Sequence, residues 1–185
     1  MVALTAKARD ARQVRSDDAL RTALLSLIGH RAYDKLTVRD IVAEAGVGYA
    51  TFFRHYPSKD ALLDKVAGDE LDELMALTAP LLTPADTRTS SLALTAHVGA
   101  RREVWTALLA GGAASHLRVE FAKRAVKVAR PDTVSPWLPM DLGVILGVSG
   151  TVEILAWWLR DKPETPSEMV AELLDRLVIK PAMDR

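Results

Sequence analysis

Cysteine is absent from this 185-residue chain. That excludes disulfides, thiolate metal sites and cysteine nucleophiles together, and a reducing cytoplasm is the compartment it fits. Aromatic residues are scarce, at 5%, whereas hydrophobic residues of all kinds reach 49%. Such a balance suits helices packed through Leu, Ala and Val better than a sheet of β-branched and aromatic side chains. Signatures of catalysis are missing as well. His30, His55, His97 and His116 are scattered, with no i, i+4 pair and no metal-ligand spacing. Gly111-Gly112 and Gly147-Val148-Ser149-Gly150 lack the Lys-Ser/Thr that completes a phosphate loop. No enzyme, cofactor or metal is expected. Met1 to Ser16 contains no apolar run, so it is not a signal peptide. The longest apolar stretch, Leu142 to Leu159, is interrupted by Glu153 and stands alone in an amphipathic chain, so no membrane span is expected.

Net charge is also absent, but its zero conceals an asymmetry. Residues 1–60 hold 10 Lys and Arg against 7 Asp and Glu, whereas residues 61–185 hold 14 against 17. A basic head on an acidic body points mildly toward nucleic acid.

What is present is helical throughout. Ser16 is placed to cap a first helix, with Asp17 and Asp18 at its positive end and Leu20, Ala23, Leu24, Leu27 and Ile28 as one stripe. Thr37 and Asp40 have the spacing of a capping box, Gly46 that of a left-handed helix stop, and Tyr49 to Tyr56 form a third short helix before Pro57. Ser58 caps a long fourth helix. Further helical patterns follow near 90–98, 101–111 and 114–129, then an apolar helix over 140–160. A last helix over 166–180 is expected to open on a capping box, Thr165-Pro166-Ser167-Glu168. The expected fold is all-α, about nine helices, with a head over 1–60 and a helical bundle over 61–185.

Two short helices joined by the turn Gly46-Val47-Gly48 are the plan of a helix-turn-helix, whose second helix enters the major groove. Ile41, Ala45, Val47, Phe52 and Tyr56 can form its small core. That leaves Tyr49, Ala50, Thr51, Phe53, Arg54 and His55 outside, with Gly48 and Ala50 small enough for close approach to a duplex.

The run from Thr37 through Ile41-Val42-Ala43, Ala45-Gly46-Val47, Thr51-Phe52-Phe53, His55-Tyr56 and Ser58-Lys59 to Leu62 resembles the signature of tetracycline-repressor-like (TetR) regulators. With the leading helix from Asp17, the resemblance covers residues 17–62. It implies a dimeric DNA-binding transcriptional regulator, in most cases a repressor, acting on an inverted-repeat operator and released by a small-molecule effector. Thr37, His55 and Lys59 would touch phosphate, and Tyr49, Ala50 and Thr51 would lie at the major groove. The sequence departs from the pattern at Phe53, where a phosphate-binding Tyr is usual, at Gly48 for a hydroxyl residue, and at Ala50 for Gly. Arg39 and Arg54 are expected to compensate. Lys7, Arg9, Arg12 and Arg15 read either as a tail without a role or as an arm on the duplex.

By the same resemblance the bundle encloses a small-molecule pocket. Its sequence candidates are Trp105, Leu108, Leu109, Leu117, Phe121, Trp137, Leu146 and Trp158, each equally readable as plain core. Glu153 sits in an otherwise apolar helix, where an unpaired buried charge would be costly. Three readings stay open for it: a structural pair with Arg or His, recognition of a cationic or hydrogen-bonding effector, or exposure. Segments 140–160 and 166–180 are expected to pair two subunits, with Gly143, Gly147 and Gly150 as a close-approach stripe and Met169, Leu173 and Leu177 as a second face. A bundle that serves dimerisation or a protein partner, with no effector, is the competing expectation.

Overall fold

The computed structural model describes residues 2–81, 83, 85–109, 112–129 and 135–183, with side chains from residue 11 onward. Its helices are α1 (Val2–His30), α2 (Val38–Ala45), α3 (Tyr49–His55), α4 (Lys59–Thr78), α5 (Thr87–Ala100), α6 (Arg102–Leu108), α7 (Ala113–Val128), α8 (Met140–Arg160), α9 (Ser167–Leu174) and α10 (Lys180–Met183). A π-helical turn, Asp175–Ile179, joins α9 to α10 in one continuous rod. Among the described residues no strand is found, and the all-α expectation holds.

Helix α1 corrects the first boundary. It does not start at Ser16 but runs from Val2, and Ser16 Oγ lies 3.1 Å and 3.0 Å from the carbonyls of Arg12 and Gln13 inside it. Residues 2–28 contain neither Pro nor Gly and are rich in Ala, Arg and Leu, so propensity alone carries the helix upstream of its apolar stripe. The charged segment is therefore helical, with Arg12 and Arg15 exposed; the side chains of Lys7 and Arg9 lie outside the described set.

The helix-turn-helix forms as read. Thr37 Oγ1 accepts from the Asp40 amide at 3.2 Å, and Asp40 Oδ2 accepts from the Thr37 amide at 2.8 Å, completing the capping box. Helix α2 ends at Gly46, at φ 64°, a left-handed conformation that favours glycine. The Gly46 amide bonds the Ala43 carbonyl and the Val47 amide bonds the Val42 carbonyl, the two bonds of a Schellman stop. Leu20, Leu24, Ile41 and Phe52 are fully buried and form the centre of the head. Truncating a ring so enclosed costs about 3–5 kcal/mol, so Phe52→Ala would strongly destabilise this small core.

Helix α4 leaves the head and becomes the spine of the bundle. Its first turns bury Leu62 and Leu63, and it packs against α5 and α7. Arg124 of α7 clamps it, with Nε 2.7 Å from Asp72 Oδ1 and Nη1 2.6 Å from Glu120 Oε2. A Cβ at Gly68 would stand 2.7 Å from the Arg124 guanidinium, so the glycine makes room for that clamp.

Helix α8 packs on α7 and α9. By length and composition it could cross a bilayer, as the core helix of a bundle also can. Its glycines turn toward the chain's own helices. Gly143 and Gly147 line an internal cavity, and a Cβ at Gly150 would meet Val178 of the same chain at 2.8 Å. The capping box at Thr165 is not made either. Pro166 takes the cap position without a side-chain bond, and the Thr165 carbonyl instead accepts from Trp158 Nε1 at 2.9 Å.

Candidate nucleic-acid interface and internal cavity

Around α3 the side chains divide into those that lock the helix in place and those left facing outward. His55 belongs to the first group. Its side chain is only 8% exposed, with Nε2 2.9 Å from Ser16 Oγ and Nδ1 3.6 Å from Asp17 Oδ1. Beside it the Tyr56 hydroxyl donates to Asp17 Oδ1 at 2.5 Å. Burial, then that hydrogen bond, pushes the Tyr56 phenol far up, so it stays a donor at any working pH. His55 thus fastens α3 to α1 and is not presented as a phosphate contact.

Lys59 is also engaged inside. Its Nζ donates to the carbonyls of Tyr33 at 3.1 Å and Leu36 at 2.9 Å and lies 4.4 Å from the centre of the Tyr33 ring. Two of its three donors are spent on the loop before α2, which leaves one. Thr37 donates its hydroxyl to Asp40 Oδ2 at 2.7 Å, so its hydroxyl also serves the cap. The amides of Val38 and Arg39, in the first turn of α2, remain without an intrahelical acceptor. That capping box has an electrostatic signature: hydrogen bonds from Thr37 and Arg31 hold the Asp40 carboxyl down at about 2.

The outward group is coherent. Gly48, Tyr49, Ala50, Phe53 and Arg54 are exposed, Thr51 is half-buried, and Arg39 is exposed on α2. Tyr49 and Phe53 pack one turn apart with ring centres at 5.0 Å and planes tilted by 60°. Arg54 Nη2 donates to Thr51 Oγ1 at 2.9 Å, which orients the guanidinium along the helix. The face therefore offers an aromatic pair, a small residue for close approach and a directed cation, a set suited to groove and phosphate contacts.

In the bundle the ends of α4 and α7, part of α5, the start of α8 and the rod through α10 line a partly open cavity of about 710 Å³. Phe121 is the one sequence candidate that lines it. Trp105, Leu108, Leu117 and Trp158 are buried core away from it, as is Leu109, and Leu146 and Trp137 are exposed. Glu153 is not buried: its side chain is 67% exposed and pairs with Arg118 of α7. The angular position of one residue on a helix apolar on every side is not set by its composition, and here the glycine face turned inward.

Sequence reasoning missed most of the true lining. Met75, Ala125, Val144 and Val178 supply apolar surface, Thr78, Ser90 and Thr151 hydroxyls, and Lys127 a cation at the exposed rim. The π turn places Val178 and Ile179 on the wall, and its buried Asp175 accepts from Thr87 Oγ1 at 2.5 Å. No sequence signal marks a π turn.

Residues 20–66 match the family model described as bacterial regulatory proteins, tetR family. No curated protein matches the sequence. Among solved structures, a TetR transcriptional regulator from Streptococcus agalactiae superposes with a TM-score of 0.70 at 23% identity, over 94% of this chain and 99% of that one. The fatty acid degradation regulator FadR of Bacillus halodurans gives 0.65 at 12% identity, over 89% and 94%. FadR of Thermus thermophilus, a transcriptional repressor in complex with lauroyl-CoA, gives 0.53 at 19% identity, over 91% and 96%.

Proposed function

We propose, from the match of residues 20–66 to the family model of bacterial regulatory proteins, tetR family, that the chain is a dimeric transcriptional regulator that binds operator DNA through α3. The observation that carries this reading is the outward face of Tyr49, Ala50, Phe53 and Arg54 on a helix fixed from behind by His55, Phe52 and Tyr56. A reading helix must arrive pre-positioned, because each loose rotamer would be ordered at the expense of affinity. Arg39 on α2 and Arg12 and Arg15 on α1 are further exposed cations for phosphate. The protein acts where the DNA is, in the cytoplasm.

The head spans residues 1–60 and the body 61–185, with α4 crossing from one to the other. The body takes an effector in the 710 Å³ cavity. Its chemistry differs from the sequence expectation. The charge at the cavity is Lys127, not Glu153, so the effector is an apolar molecule carrying an acceptor or an anion. The lauroyl-CoA bound to the Thermus thermophilus neighbour is of that kind. Met75 and Thr78 line the cavity from α4, the helix whose first turn, with Lys59, adjoins the head. Ligand binding there favours one setting of the two heads over another and releases the operator.

A second copy of the chain covers the outer faces of α8 and α9. Leu142, Ile145 and Leu146 are exposed at helical spacing on α8, and Met169 and Leu177 are exposed on the neighbouring rod. A contiguous apolar surface of this kind marks an association site. The whole reading is tested by titrating a fluorescent operator duplex with and without a C12 fatty acyl ligand. Tight, salt-sensitive binding that the ligand reverses is expected. Binding that no acyl ligand affects would leave the bundle to dimerisation or a protein partner.

A further inference from the structure

Between the cavity and the head lies a polar cluster that neither DNA nor effector binding uses. Glu70 and Glu73 stand one turn apart on the same face of α4, and His97 faces them from the last turn of α5. One donor atom from each of the three residues lies within 4.8 Å of the others. Arg101, at the junction of α5 and α6, bridges the two carboxylates. It donates through Nη2 to Glu70 Oε1 and through Nη1 to Glu73 Oε2 at 2.6 Å. It takes one oxygen of each carboxylate and leaves the other.

That remainder is costly as it stands. Glu70 is 4% exposed and its Oε2 is buried with no hydrogen-bond partner; His97 Nε2 is likewise buried and unpartnered. Two carboxylates share one hydrogen-bonded guanidinium beside an imidazole lone pair. Unpaired buried polar atoms are few in native proteins, and an ion is one of the few things that explains two of them in one cluster.

We propose that Glu70, Glu73 and His97 bind one divalent transition-metal ion of the Zn²⁺ or Co²⁺ class. One imidazole and two carboxylates make a donor set of the Zn²⁺ type, and a water would complete four-coordination. The three donors close inward on binding, a movement for which the exposed Glu73 side chain has room. The bound ion ties α4 to α5 on the path between cavity and head. The expectation of no metal followed from sequence spacing: His97 lies far along the chain from both Glu residues, and only the packing of α5 on α4 unites them. Nothing in this inference depends on DNA binding.

The test uses the full, untagged chain, stripped with chelator and titrated with Co²⁺ alone. One Co²⁺ per chain is expected, with visible d–d absorption that Zn²⁺ displaces. His97→Gln and Glu73→Gln should each weaken that binding roughly tenfold or more. His116→Gln, at the cluster with Asp60 and Asp64, should leave it unchanged. The exposed Glu73 keeps the test valid should the His97 variant misfold. Absence of Co²⁺ uptake, or uptake that survives Glu73→Gln in a folded protein, would overturn the proposal.

Discussion

His55 on α3 and Ser16 on α1 are in hydrogen-bond contact, Nε2 to Oγ at 2.9 Å, across 39 residues of chain. The pair makes α1 the back wall of α3 and gives its outward residues a fixed mount.

His55→Ala therefore acts on stability first. The head should lose about 1–3 kcal/mol, because Ser16 and Asp17 lose a partner in a nearly closed site. Thermal melts should show the shift before any change in salt dependence appears. Ordinary stability with DNA affinity lost would instead make His55 a direct contact.

Arg39→Ala and Arg54→Ala should separate two kinds of contact. Arg39 lies on α2 beside the helix start, and its loss should weaken all duplexes about equally and lower the salt slope by about 1. Arg54, oriented by Thr51, should change which bases are preferred as well. Binding titrations over a salt series on specific and random duplexes measure both.

The capping box gives a pH dependence of known sign. Asp40 is held at about 2 in the folded protein, below its ordinary 3.8. Its contribution is therefore complete above about pH 4 and disappears as pH falls toward 2. Thr37→Ala removes the cap's partner, costs about 1 kcal/mol at neutral pH, and should flatten that acid limb. Acid titration followed by circular dichroism compares the two proteins.

Gly147 faces open space in the cavity, where a Cβ meets nothing within 4 Å. Gly147→Leu should fill the void and abolish effector binding, while operator affinity and the fold persist. Ile145→Asp, on the exposed outer face of the same helix, should have the complementary effect. It should split the dimer and weaken operator binding with the head still folded. Calorimetry and sedimentation distinguish the two sides of one helix.

The head was legible almost residue by residue because its signals are local. Thr37 with Asp40, Gly46 before Val47, and Ser58 before Ala61 each act within a few positions of themselves, and each forms the bond its spacing implies. The internal partners of His55 and Lys59 were not legible for the opposite reason. Their partners, Ser16 and the carbonyls of Tyr33 and Leu36, come from distant chain, and tertiary packing decides whether such side chains face in or out. The bundle was legible as helices but not as a site. Glu153 and Leu146 turned outward, and the glycine face turned in.

Selection of bound duplexes from a random library tests the central claim most directly. The exposed face of α3 carried by a two-fold dimer should enrich an inverted repeat, its half-sites spaced by about 34–36 Å or a multiple of it. Tyr49→Ala should shift the recovered half-site. A library left unenriched after repeated rounds at moderate salt, with the wild-type protein folded and dimeric, would contradict it.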